Sequence, residues 1–166
     1  MDTEILKRLL AFILLCLVQA LILNRIHLFG FATPLLPVYF VITFHRGYPK
    51  WAILTWSFLM GLCLDSFSNT PGVAAASMTF VALLQPYLLE PFVPRDSADD
   101  LKVSVRSLGW GKFASLAFLL VIIYVLVFFS LEAFTFYNWQ QWLMCVGGST
   151  VLTYLFILVI ENLRTN

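Results

Sequence analysis

The sequence predicts an all-α integral membrane protein in which six transmembrane helices form one bundle over residues 1–166. Hydrophobic side chains make up 61% of the chain and charged ones 11%, whereas soluble domains carry about 25% charged residues. Six charge-free runs of 14 to 28 residues follow one another, and a helix that crosses a bilayer needs about 20 residues. This pattern excludes a soluble catalytic domain, a nucleotide-binding cassette and any large extramembrane module.

The distribution of positive charge predicts the orientation in the membrane. If the amino terminus is cytoplasmic, nine of the ten Lys and Arg residues fall in cytoplasmic segments and Arg25 alone lies outside. The positive-inside rule therefore predicts that both termini are in the cytoplasm. The net charge of +1 gives no reason to expect a nucleic acid partner.

The first two spans are predicted over residues 5–23 and 28–44. A cleaved signal peptide is the alternative for the first span, but the apolar run continues past the expected cleavage position. In the second span, Pro34 and Pro37 interrupt the run. Either the helix begins at Pro34 and the residues before it lie at the outer interface, or one helix is kinked at the prolines.

The next two spans are predicted over residues 51–67 and 73–89. Span three meets Asp65 after 14 residues, which is about 21 Å of helix against a hydrocarbon thickness of about 30 Å. We therefore expect Asp65 at the outer edge of the membrane. Turn-forming residues follow from Ser66 to Gly72, and the small residues that open span four favour close helix packing.

Spans five and six are predicted over residues 113–131 and 142–160, and the one sizeable connection is a cytoplasmic loop over residues 90–112. Within this loop we expect a short amphipathic helix, either on the inner membrane surface or docked beneath the bundle. Its apolar face is formed by Leu101, Val105 and Leu108, and another face carries Lys102 and Arg106.

No catalytic residue, cofactor or metal site is predicted. His27 is expected outside and His45 inside, and the chain has no HExxH, GxSxG, SxxK or phosphate-binding loop pattern. No charge falls at the centre of a run, where an ion-coupled transporter would need one. The polar residues Gln19 and Gln85 lie well inside spans and are expected to form helix–helix hydrogen bonds.

The outer side is expected to carry two carboxylates and one cation, namely Asp65, Glu132 and Arg25. Asp65 is expected either to organise the outer turn, with Arg25 as a candidate ion-pair partner, or to contact a partner or ligand. Nothing in the spacing of Asp65 and Glu132 specifies a paired-carboxylate site.

Residues 34–89 resemble a known family. The stretch contains Pro34-x-x-Pro37 before an apolar run, His45-Arg46-Gly47 and Trp51, Gly61-x-x-x-Asp65 at the end of a span, and Pro71-Gly72 ahead of Ala74-Ala75-Ala76. It resembles the rod shape-determining protein family MreD, whose central signature is a G-x-x-x-D followed by a glycine and by small residues that open the next span.

The resemblance implies a non-enzymatic scaffold of the complex that elongates peptidoglycan in the bacterial inner membrane and maintains rod shape. It implies binding to MreC and, through MreC, links to MreB, RodA and a penicillin-binding transpeptidase. It also implies a fold similar to the substrate-binding subunits of energy-coupling-factor transporters. The candidate signature and partner-contact residues are Gly61, Asp65, Pro71 and Gly72, to which the outer cation Arg25 is added.

The alternative function is a small-molecule binding subunit of a membrane importer, with a vitamin-like ligand. Such a subunit would need a pocket on the outer side. Its expected lining is Asp65, Arg25, Glu132, Tyr137, Trp139 and Gln140.

Overall fold

A computed structural model describes residues 2–25, 30, 32–134 and 136–166. Within these ranges the chain forms seven α-helices and no strand. The helices are α1 (Asp2–Leu21), α2 (Pro37–Ile42), α3 (Lys50–Ser68), α4 (Val73–Leu89), α5 (Val105–Leu108), α6 (Trp110–Ala133) and α7 (Trp139–Thr165). Short 3-10 turns lie at Leu23–Arg25, Glu90–Phe92 and Phe136–Asn138.

Among the described residues, four helices are long and apolar enough to cross a membrane. They are α3, α4 together with the turn that follows it, α6 and α7. Helix α4 coincides with the predicted span 73–89 and α3 differs from its predicted span by one residue at each end, while α6 and α7 extend beyond theirs at both ends. The prediction of an all-α, multi-pass membrane protein is therefore confirmed.

Helix α1 is as long as these helices, but Glu4, Lys7 and Arg8 place charges in its first two turns. Its buried face packs on α2 and α3. Its other face is a continuous apolar stripe of exposed leucines, at the three- and four-residue spacing of one helix face. The stripe consists of Leu6, Leu10, Leu14, Leu17 and Leu21.

The predicted second span, 28–44, is not one helix. Helix α2 has only six residues, about 9 Å of length, and it begins at Pro37 rather than at Pro34. Pro37 occupies the first position of the helix, where its missing N–H costs no intrahelical hydrogen bond, and Leu36 before it is the N-cap. The sequence left open whether residues 26–33 span the membrane or lie at its interface. Most of this segment, residues 26–29 with His27 and residue 31, lies outside the described residues.

The non-helical stretch before α2 is buried, and side chains from two other helices bind its backbone. The amide of Gln19 on α1 donates to the Pro34 carbonyl over 3.0 Å and accepts from the Leu36 N–H over 3.1 Å. On the other side, the Thr153 hydroxyl of α7 accepts from the Leu35 N–H over 2.9 Å. Because a buried peptide group without a partner is costly, these side chains allow an irregular segment inside an apolar bundle.

All six residues of α2 are buried. Two further polar contacts bind Tyr39 within α2 and Phe44 just after it. The Gln85 side chain of α4 donates to the Phe44 carbonyl over 3.3 Å. The Tyr39 hydroxyl donates to the carboxylate of Glu161 on α7 over 2.7 Å. These hydrogen bonds of Gln19 and Gln85 thus join α1 and α4 to the backbone on either side of α2.

The loop between α4 and α6 contains only one turn of α-helix, α5. The predicted helix through Leu101 and Lys102 is wrong in its start, because both residues precede α5 and are not helical. The cause is visible in the backbone: the Leu101 carbonyl accepts from the Arg46 N–H over 3.3 Å. The next such bond joins the Gly47 N–H to the Asp99 carbonyl over 2.6 Å, so this stretch runs beside the 45–48 turn instead of coiling.

Helix α5 is docked beneath the bundle. Val105 and Leu108 are buried, whereas Arg106 is exposed and its guanidinium donates to the Thr165 carbonyl. The Val105 N–H donates to Glu161 over 3.1 Å. Since Lys102 also pairs with Glu4 over 3.2 Å, both chain termini lie beside this loop, at what we call the terminal end of the bundle.

Replacement of Thr153 by Val tests the support of the irregular segment. The variant leaves the buried Leu35 N–H without its acceptor, and we expect the free energy of unfolding to fall by about 1–2 kcal/mol in mixed micelles. Thr79→Val is the matched control, because the Thr79 hydroxyl donates only to a carbonyl of its own helix. Equal losses in the two variants would contradict this role of Thr153.

Candidate functional site

The Gly61-x-x-x-Asp65 signature lies where α3 and α4 cross. A Cβ atom at Gly61 would lie 2.3 Å from the Ala75 Cα and 2.7 Å from the Ala74 carbonyl oxygen. The two helices therefore touch backbone to backbone at this point, which only a glycine permits. The small residues that open α4 are the other half of the same contact.

Asp65 lies one helical turn after Gly61 and is 6% exposed. One carboxylate oxygen accepts from the Ala74 N–H over 2.8 Å, and the other accepts from the Ala75 N–H over 3.0 Å. The Thr70 hydroxyl donates to the first oxygen over 3.1 Å. The carboxylate thus caps the start of α4, where unpaired N–H groups and the helix dipole favour a negative charge.

Gly72 explains why the cap has to come from another helix. It occupies the N-cap position of α4, where Ser, Thr, Asp or Asn is usual. Its φ of +85° is in the left-handed region, and a Cβ there would meet nothing within 4 Å. Backbone conformation and not space therefore selects glycine, and Asp65 supplies the acceptor that the N-cap residue lacks.

The signature residues form one structural unit, the hairpin of α3, the turn 69–72 and α4. Gly61, Asp65 and Gly72 meet in it, and Pro71 lies exposed on its turn. In the described part of the chain no ion pair joins Asp65 to Arg25, which lies at the wall of a cavity instead. The sequence left the contacts of Asp65 open, and the structure assigns its side chain to the turn and to α4.

A cavity of about 700 Å³ opens where α1, α3 and α6 end and α7 begins, at the end of the bundle opposite the termini. Of the expected pocket residues, Arg25 and Glu132 line it, whereas Asp65, Tyr137, Trp139 and Gln140 do not. The remaining wall combines polar and aromatic side chains. It includes Thr33, Ser68, Thr70, Asn138 and Gln141, with Leu35, Phe67, Phe128, Phe129, Trp142 and Cys145.

Part of the lining that the sequence missed lies on the faces of α-helices. Phe128 and Gln141 are far apart in the chain and meet only because α6 and α7 pack side by side. Tyr137 and Trp139, which looked like pocket residues, are 94% and 67% exposed. Exposed aromatic side chains at helix ends are typical of the membrane interface.

A second polar group lies near the terminal end, around His45. The guanidinium of Arg8 donates to His45 Nδ1 over 3.2 Å and lies over the rings of Phe44 and Tyr48, 4.6 and 4.3 Å from their centroids. Burial and, secondarily, the charge of Arg8 lower the pKa of His45, which favours the neutral ring that accepts this bond. No group of three or more His, Cys, Asp or Glu that could hold a metal occurs among the described residues.

The comparisons with known proteins gave no match. No family model matches the chain, and neither a curated protein nor a solved structure matches it.

Substitution of Gly61 by Ala tests the helix crossing. The new methyl group would overlap the backbone of Ala75, and overpacking of this kind costs about 1–3 kcal/mol of unfolding free energy. Gly147→Ala on α7 is the matched control, because a Cβ there meets nothing within 4 Å and alanine is the better helix former. Thermal unfolding in detergent should separate the two variants, and equal midpoints would contradict the close contact.

Substitution of Asp65 by Asn tests the cap. The variant keeps one acceptor oxygen but turns an amide N–H₂ toward the N–H groups of α4, so we expect a loss of about 1–3 kcal/mol in the free energy of unfolding. Asp96→Asn in the exposed loop should change it by less than about 0.5 kcal/mol. An Asp65→Asn protein as stable as the wild type would show that the carboxylate is not needed to cap α4.

Proposed function

We propose that the chain is a non-catalytic scaffold of the MreD type in the bacterial inner membrane. In this role it binds MreC and through it joins MreB, RodA and a penicillin-binding transpeptidase in peptidoglycan elongation. One observation carries the proposal: Gly61, Asp65 and Gly72, which are separate letters of the signature, meet in one hairpin and depend on one another there. A chance match to a signature would not be expected to bring its residues together in one structural unit. Their grouping in one hairpin therefore supports the resemblance.

The proposal includes six crossings with both termini in the cytoplasm. Helix α1 serves as the first crossing, with its leucine stripe toward lipid and with Lys7 and Arg8 near the interface. The irregular segment and α2 fill the second crossing inside the protein, where non-helical backbone is tolerated at membrane depth. The excess of basic residues at the terminal end supports a cytoplasmic location for that end.

The buried carboxylate of Asp65 cannot itself touch a partner, so we assign MreC binding to the exposed side chains beside it. Leu62 and Phe67 are exposed side chains of α3, 40% and 61% exposed, and Phe67 also lines the cavity. They flank Asp65 in the chain and belong to the same helix. A hairpin fixed by the Gly61 contact and the Asp65 cap holds them in a constant arrangement, which lowers the entropy lost on binding.

Photo-crosslinking tests the scaffold proposal. A photoreactive amino acid at Leu62 or at Phe67 should capture MreC when the two proteins are produced together in membranes. The matched control is the same amino acid at Val151 or Leu155, which are comparably exposed on α7 and should capture little. Failure of MreC to co-purify with the wild-type chain would contradict the scaffold function, and capture from α7 alone would move the contact face away from the hairpin.

A second candidate function, a small-molecule binding subunit of an importer, is favoured by the cavity. Its volume of about 700 Å³ is within the range of about 300–1,000 Å³ that is usual for ligand sites. Arg25 and Glu132, two of the residues expected to line such a pocket, lie in its wall. The two candidate functions share Phe67, which lines the cavity, whereas Leu62 does not line it. Capture of MreC at Leu62 and binding of a ligand in the cavity therefore test the two functions separately.

A further inference from the structure

We infer that the cavity binds an amphipathic acid, that is, a molecule with one carboxylate, phosphate or sulfonate group on an apolar body, and that Arg25 holds the acidic group. This inference deepens the second candidate function, since it requires that the cavity binds a ligand. It does not require transport, and it applies equally if the ligand is a regulator of a scaffold.

The charge of the cavity wall points to an acidic ligand. Arg25 is the only Lys or Arg in the lining, and its side chain forms no ion pair or hydrogen bond within the described residues. A guanidinium can bind a carboxylate or phosphate through two parallel hydrogen bonds. In a wall that also carries Glu132, a ligand with a second acidic group would be repelled, so one acidic group fits best.

The start of α7 adds to this preference. Asn138 occupies the N-cap position of this 27-residue helix without forming a side-chain cap, and Asn138, Gln141 and Trp142 line the cavity. The N–H groups and the dipole at a helix start favour an anion. The start of α7 and Arg25 therefore present positive potential to the same space.

The rest of the lining favours a ligand with an apolar body. Leu35, Phe128 and Phe129 supply hydrophobic and aromatic surface. Such walls bind rings and acyl chains through burial of apolar area. Two sources carry this chemistry, an anionic lipid of the outer leaflet and a water-soluble aromatic acid, and the experiment below separates them.

The test measures protection of Cys145, which lies in the cavity wall, from alkylation by N-ethylmaleimide. The wild-type protein in phosphatidylcholine nanodiscs is incubated with 2-naphthoate, with the neutral 2-naphthamide or with a short-chain phosphatidylglycerol. Peptide mass spectrometry then scores Cys145 separately from Cys16 and Cys63. We expect saturable protection by 2-naphthoate, by phosphatidylglycerol or by both, and at least tenfold weaker protection by the amide.

Two variants locate the acidic group. Arg25→Gln should weaken protection by the acid about tenfold or more, because hydrogen bonds to a charged group are lost, and Arg25→Lys should weaken it less. Arg95→Gln, an exposed arginine in the loop at the other end of the bundle, is the matched control and should leave protection unchanged. The comparison of acid with amide uses the wild-type chain and so stands even if an Arg25 variant folds poorly.

The possible failures are distinct. Equal protection by acid and amide, with no effect of Arg25→Gln, would overturn the acidic ligand while leaving the cavity as a binding site. Protection by none of the three probes would overturn this inference and remove the support for the second candidate function. Protection by phosphatidylglycerol alone, or by 2-naphthoate alone, supports the inference and identifies the source of the ligand.

Discussion

The need of every buried peptide group for a hydrogen-bond partner determines most of this structure. The stretch from Thr33 to Leu36 is not helical and yet lies in the interior, so its N–H and C=O groups have no helical partners. The bundle meets this need with Gln19 on one side and with Ser149 and Thr153 on the other. Polar residues that look out of place in apolar spans are therefore the partners of a backbone that could not be helical.

The same need for hydrogen-bond partners explains the Gly61-x-x-x-Asp65 signature near the C-terminal end of α3. A helix start presents free N–H groups, and Gly72 at that position cannot accept from them. Asp65 does so from the preceding helix, and it comes within reach only because Gly61 lets the two backbones touch. The signature residues therefore act primarily in folding, by fixing the contact between α3 and α4 and by capping α4. Any part it has in partner binding is exerted through the surface that the hairpin holds in place.

The long helices were predictable and the short elements were not. Long apolar runs determine α3, α4, α6 and α7, and the helix of α4 continues through Pro86. The stretch before α2 is held by Gln19 and Thr153, and the shape of the 93–104 loop depended on backbone bonds to a distant turn. Such contacts join residues far apart in the chain, and no local sequence pattern predicts them. The motif Gly61-x-x-x-Asp65 was visible, but the recipient of the carboxylate was not.

The cavity and the hairpin share three residues, Phe67, Ser68 and Thr70. Thr70 lines the cavity and its hydroxyl also donates to Asp65, so a molecule held in the cavity touches the turn that starts α4. A ligand that binds one arrangement of this turn better than another would shift the arrangement that presents the exposed side chains of α3. Thermodynamic linkage then requires that a partner bound to that face changes the affinity of the cavity by the same factor. The proposed scaffold function and the proposed ligand site are for this reason compatible, and Thr70 would couple them because it contacts both Asp65 and the cavity.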